Sequence, residues 1–121
     1  MNIGQFVQEL RKYPLSALVT IEPFELYPTT FDSYRGYYNE LALGYSIEEP
    51  EKLMTVEDLI HESISCIGKE FTGYKGGQFV MDTNTPLWIS NYGKCSGAKV
   101  REIIMPLNGY VEIYCYKESE Y

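Results

Sequence analysis

The chain is poor in the residues on which most small-molecule catalysis depends. It has a single histidine, His61, and three cysteines, Cys66, Cys95 and Cys115, no two of which form a Cys-x-x-Cys pair. One histidine excludes phosphoesterase centres built on paired histidines and the His-Glu-x-x-His zinc proteases, and the cysteine spacing excludes finger-type tetrahedral zinc sites. An odd, unpaired cysteine set fits a reducing compartment better than a disulfide scaffold, so all three read as thiols. Cys95 lies outside the known local signatures of nucleophilic cysteines, although a pairing with His61 through space stays open.

Phosphate-binding signatures are also missing. There is no Gly-x-x-x-x-Gly-Lys-Ser/Thr, and the glycines of residues 73–77 do not follow Gly-x-Gly-x-x-Gly. No apolar run is long enough to cross a bilayer, and the first residues, Met1-Asn2-Ile3-Gly4-Gln5, lack the basic head and apolar stretch of a secretory signal. The expected location is the cytoplasm, without a membrane partner. Cations are outnumbered, with 10 Lys and Arg against 17 Asp and Glu, for a net charge of −7. That balance argues against long DNA or RNA, whose affinity comes mainly from cations neutralising phosphates. The acids gather at Glu48-Glu49-Pro50-Glu51, at Glu57, Asp58 and Glu62, and at Glu118 and Glu120. Such runs serve at least to keep a protein soluble.

What is present in excess is tyrosine, with 12 residues in a chain of 121. Three stretches repeat one chemical set of aromatic ring, cation and glycine: Tyr34-Arg35-Gly36-Tyr37-Tyr38, Thr72-Gly73-Tyr74-Lys75-Gly76-Gly77 and Asn91-Tyr92-Gly93-Lys94. None of the three contains an acid. A ring stacks on a planar base, a cation answers a phosphate, and glycine lets backbone N–H groups approach an anion. The set suits a small, anionic, ring-bearing ligand. The competing interpretation is that tyrosines fill half-buried sheet faces and glycines make turns. Asp32, Glu40 and Asp82 lie near these stretches and offer carboxylates, which in loops most often cap turns. No metal or cofactor is expected, and the chain reads as a binder rather than an enzyme.

The length predicts one domain spanning residues 1–121. Ile3, Phe6, Val7 and Leu10 follow Asn2 at helical spacing and predict a first helix closed by Pro14. Strands are expected at Ala17–Glu22 and Leu41–Tyr45, joined by residues without clear periodicity. So long a connection is either functional or misassigned, and the Tyr34 stretch within it favours the first. Thr55 and Asp58 resemble a capping box opening a second helix, whose inner stripe is Val56, Leu59, Ile60, Ser63, Ile64 and Ile67, with Gly68 as its stop. His61 falls off that stripe, as an exposed side chain would. Two short extended pieces flank residues 73–77, and Leu87–Ser90 forms another strand. Lys99–Met105 and Tyr110–Tyr116 then make a C-terminal β-hairpin through Asn108-Gly109. The expected fold is α+β, two helices packed on a mostly antiparallel sheet.

Tyr34-Arg35-Gly36-Tyr37-Tyr38 with Leu41-Ala42-Leu43, Gly68-Lys69-Glu70-Phe71-Thr72-Gly73-Tyr74-Lys75-Gly76-Gly77, and Thr85-Pro86-Leu87-Trp88 through Asn91-Tyr92-Gly93 to Ser96-Gly97 resemble a family of small proteins of tailed bacteriophages and prophages. The resemblance runs from the first helix to about Val100. It implies a setting, action against host defences, rather than a mechanism. In that setting the residues point to capture of a small nucleotide-type immune signal. Tyr34, Tyr37, Tyr74, Trp88 and Tyr92 would stack, Arg35, Lys75 and Lys94 would hold phosphates, and Gly73, Gly76 and Gly77 would donate backbone N–H groups. Thr72, Thr85 and Asn91 would read polar edges. A site of this kind favours a symmetric homo-oligomer. Two alternatives stay open: an acidic inhibitor that covers a host defence protein, as a nucleic-acid mimic or groove blocker, and a structural or assembly accessory.

Overall fold

A computed structural model describes residues 1–23, 25–33, 41–72, 78–89, 98–106 and 109–117. The first helix, α1 (Ile3–Leu10), opens on a reciprocal cap in which the Asn2 side chain accepts the Gln5 N–H at 2.8 Å and the Gln5 side chain accepts the Asn2 N–H at 2.9 Å. Two of the otherwise orphaned donors of the first turn are thereby satisfied. Ile3, Phe6, Val7 and Leu10 are all buried, as their spacing requires.

The chain then forms β1 (Val19–Glu22), β2 (Tyr27–Ser33) and β3 (Leu41–Ser46), the second helix α2 (Val56–Cys66), and β4 (Glu70–Thr72) to β8. The remaining strands are β5 (Gln78–Val80), β6 (Leu87–Ile89), β7 (Ala98–Ile104) and β8 (Val111–Lys117). Six strands make one sheet in the order β1-β8-β7-β6-β3-β2, and β4 and β5 pair apart from it. Within the large sheet β2/β3, β6/β7 and β7/β8 are antiparallel, whereas β1/β8 and β3/β6 are parallel. The two edge strands meet at a corner, where Ile21 and Leu26 exchange backbone hydrogen bonds of 2.8 and 2.9 Å. The sheet is therefore nearly closed on itself, and α+β is the fold class.

One expectation needs correcting. The long connection after β1 contains a strand, β2, which pairs with β3 from Tyr27↔Ser46 to Ser33↔Leu41. Its alternation is broken by a register shift between Pro28 and Phe31, so the period of two never shows in the sequence. The first strand is also shorter than its sequence pattern: Leu18 bridges Thr55, and regular pairing with β8 begins at Val19.

Thr55 caps α2 as the sequence implies, its hydroxyl accepting the Asp58 N–H at 3.1 Å while the Asp58 carboxylate accepts the Thr55 N–H at 3.0 Å. Gly68 follows the helix with φ +83°, a conformation that favours glycine. The helix face that enters the core is Val56, Leu59, Ser63 and Cys66. Ile64, placed on the inner stripe by its spacing, is instead 43% exposed. The core joins α1 and α2 to Val19, Ile21, Leu41, Leu43, Ile89, Val111 and Ile113 of the sheet, with Cys66 and Cys115 buried as thiols.

Candidate functional site

Most of the residues singled out by the sequence fall on three stretches outside the described residues: Tyr34, Arg35 and Tyr37; Tyr74, Lys75, Gly76 and Gly77; and Asn91 and Tyr92, with Lys94. Their flanks are described. Ser33 pairs with Leu41, Thr72 with Gln78, and Ile89 with Ala98, each across an antiparallel pair. All three stretches are thus carried between paired strand ends, a position where a rigid scaffold commonly presents binding residues. The parallel register Leu41↔Leu87 and Leu43↔Ile89 fixes two of the attachment points. At about 3.3 Å per residue along a strand and about 4.8 Å between strands, the start of β3 and the end of β6 stand about 8 Å apart. The chain enters β3 at one end of this short pair and leaves β6 at the other.

Three candidate residues are described in part or in full. Thr72 ends β4 and contributes its backbone to the pairing with Gln78. Thr85 is buried in the turn before β6. Its hydroxyl oxygen accepts the Asp82 N–H at 2.9 Å and its carbonyl accepts the Ile3 N–H at 3.0 Å, so it joins that turn to the start of α1. Asp82 takes the capping role common among loop acids, its carboxylate accepting the Asn84 N–H at 2.8 Å. Trp88 lies half-buried in β6, and the Lys99 ammonium of β7 sits 4.9 Å from its ring centroid. A cation over an aromatic face contributes about 0.5–1 kcal/mol at an exposed site. One face of this ring is therefore already engaged by the protein's own cation.

Sequence reasoning did not find the acidic depression at the junction of β1, β2 and β8, about 390 Å³ in volume, where Glu22, Glu25, Glu49 and Glu112 surround Tyr27 and Tyr110. It arises from the parallel pairing Thr20↔Glu112 and Glu22↔Tyr114, which sets the polar faces of two strands distant in sequence side by side. Burial pushes the Glu22 carboxyl above its ordinary value; the Thr20 hydroxyl partly offsets this, and Glu112 and Glu25 add to the rise. The Tyr114 phenol is held above its ordinary value mainly by hydrogen bonding to Glu112, with burial and the charges of Glu112, Glu22 and Glu102 acting in the same direction. The alternation of polar residues along β1 and β8 was the available signal, but nothing local in sequence pairs the two strands.

His61 is exposed on α2, off the apolar face. Among the described residues no cluster of three or more His, Cys, Asp or Glu is arranged to hold a metal ion, and no helix is long and apolar enough to cross a membrane. No family model, curated protein or solved structure matches the chain.

Proposed function

We propose that the chain is a non-catalytic binding protein of phage origin that captures a small nucleotide-type immune signal in the host cytoplasm and withholds it without cleaving it. The observation that supports this reading is the recurrence of ring, cation and glycine in three stretches, each joined to the ends of an antiparallel strand pair. In this reading Tyr34, Tyr37, Tyr74 and Tyr92 supply stacking faces of about 1–3 kcal/mol per base. Arg35 and Lys75 answer phosphates, and Gly76 and Gly77 leave backbone N–H groups accessible. Two stacked rings with two charged contacts reach about 8 kcal/mol, the micromolar range or tighter. A homo-oligomer completes the enclosure that one small domain lacks.

The test is thermal shift against a panel of cyclic oligonucleotides and ADP-ribose derivatives. At least one ligand is expected to raise the melting temperature of the wild-type protein. Arg35→Ala and Lys75→Ala are expected to abolish the shift while leaving the melting temperature of the unliganded protein nearly unchanged. Equal loss of fold in both variants would assign those side chains to structure instead.

A second reading is favoured by the depression at β1, β2 and β8. Its four glutamates present a dense negative surface with two tyrosine rings, the chemistry of an inhibitor that enters a basic groove of a host defence protein. Recovery of a basic partner from infected cells by wild-type protein, but not by a Glu22→Lys, Glu112→Lys variant, would favour it over ligand capture.

A further inference from the structure

The apolar surface of α2 is wider than the core it covers. Val56, Leu59, Ser63 and Cys66 face inward, which leaves Ile60 only partly buried and Ile64 43% exposed. Across from them stands Leu15, 52% exposed, and together with Arg11 they line a depression of about 600 Å³. Its walls are fixed: the Tyr13 hydroxyl donates to the Ile103 carbonyl at 2.8 Å, and the Glu57 N–H donates to the Leu15 carbonyl at 3.0 Å. Glu57 and His61, one turn apart, border this depression and also a second, polar one that carries Lys52, Asp58 and Glu62. The helix thus presents an apolar trough on one side of a ridge and a carboxylate-bearing trough on the other.

We propose that this face of α2 is a docking groove for a basic amphipathic helix of a partner protein, a surface that shares no lining residue with the acidic depression at β1 and β8. The apolar side of such a helix covers Leu15, Ile60 and Ile64, and its lysines or arginines reach over the ridge to Glu57, Asp58 and Glu62. Charge selects this occupant. The three carboxylates lie together on α2, and the chain's net charge of −7 draws a basic segment toward them. A second copy of the chain is disfavoured by the same charges, because a two-fold contact through this face would set the α2 carboxylates of both copies against each other. An 11-residue α2 is about 16 Å long, which matches three turns of a docked helix.

The experiment measures fluorescence anisotropy of a labelled twelve-residue helical peptide with leucines on one face and lysines on the other, titrated with the full chain at low and high salt. Saturable binding that weakens with salt is expected. Ile64→Glu and, on the opposite wall, Leu15→Glu are each expected to reduce affinity at least tenfold. Glu62→Lys is expected to reduce it about threefold to fivefold at low salt and little at high salt. Circular dichroism and melting temperature confirm that each variant is folded, and both apolar positions are exposed enough to accept the change. No binding overturns the proposal, as does equal binding of a peptide with glutamates in place of the lysines, or unchanged affinity in both wall variants. Self-association in sedimentation that Ile64→Glu abolishes also overturns it, assigning the groove to a second copy.

Discussion

Glu22 shows how a single residue links the sheet to pH. Burial and the neighbouring Glu112 and Glu25 raise its folded-state pKa, so the folded protein binds this proton more tightly than the unfolded chain does. Its contribution to stability is therefore present in full below the ordinary value of 4.5 and is lost as pH rises through the higher folded value. Glu22→Gln is expected to raise the melting temperature at pH 7 and to change it little at pH 4, as read by thermal denaturation across that range. A uniform shift at both pH values would show that the substitution acts through packing instead. Thr85 tests the opposite kind of assignment. Its hydroxyl accepts the N–H of the exposed Asp82 while Thr85 itself is 8% exposed, so Thr85→Val is expected to cost about 0.5–1.5 kcal/mol, the loss of one part-buried hydrogen bond. Thr85→Ser keeps the acceptor and is expected to recover most of that loss in urea denaturation. As a sequence feature, Thr85 was indistinguishable from a ligand-reading hydroxyl, because its partner, the Asp82 N–H, carries no residue-specific signal.

Both helices were legible in the sequence because their ends and faces are written in side chains. Asn2 with Gln5 and Thr55 with Asp58 cap them reciprocally, and the apolar spacing of α1 matches its buried face. Thr55→Ala is expected to cost about 1 kcal/mol by removing one side of the α2 box, measurable by chemical denaturation. Gly68→Ala is expected to cost a similar amount for a different reason. A Cβ there meets nothing within 4 Å, so the whole penalty is the left-handed backbone at φ +83°. The strands were less evenly legible. β8 alternates apolar and polar residues, and Val111, Ile113 and Cys115 are buried as the alternation requires, whereas a register shift between Val100 and Glu102 interrupts the alternation of β7. β2 was hidden because Pro28 and the register shift before Phe31 break its period. Ile64 was misplaced for the reason that makes it useful: periodicity reports which residues share a helix face, not how much of that face the core covers.

For the molecule as a whole, the long-range order of the strands was the part that sequence could not supply. Local turns announce antiparallel neighbours, whereas the parallel pairs β1/β8 and β3/β6 join segments far apart in the chain. Those two pairs determine where acids and aromatic-bearing stretches emerge: the first builds the depression around Glu22 and Glu112, and the second sets the attachments of residues 34–40 and of residues 90–97 at opposite ends of one short strand pair. The candidate ligand residues were legible as chemistry, through the recurrence of ring, cation and glycine. The acidic depression was not, since it exists only once β1 lies beside β8.

The central claim is capture without chemistry, and it is tested most directly by recovering the ligand. The purified protein is mixed with each nucleotide of the panel, freed of unbound material by gel filtration, denatured by heat, and the released small molecules are analysed by mass spectrometry. The account predicts that one nucleotide is retained and released intact in stoichiometric amount. Release of a cleaved or altered product, or retention of none of them, would contradict it.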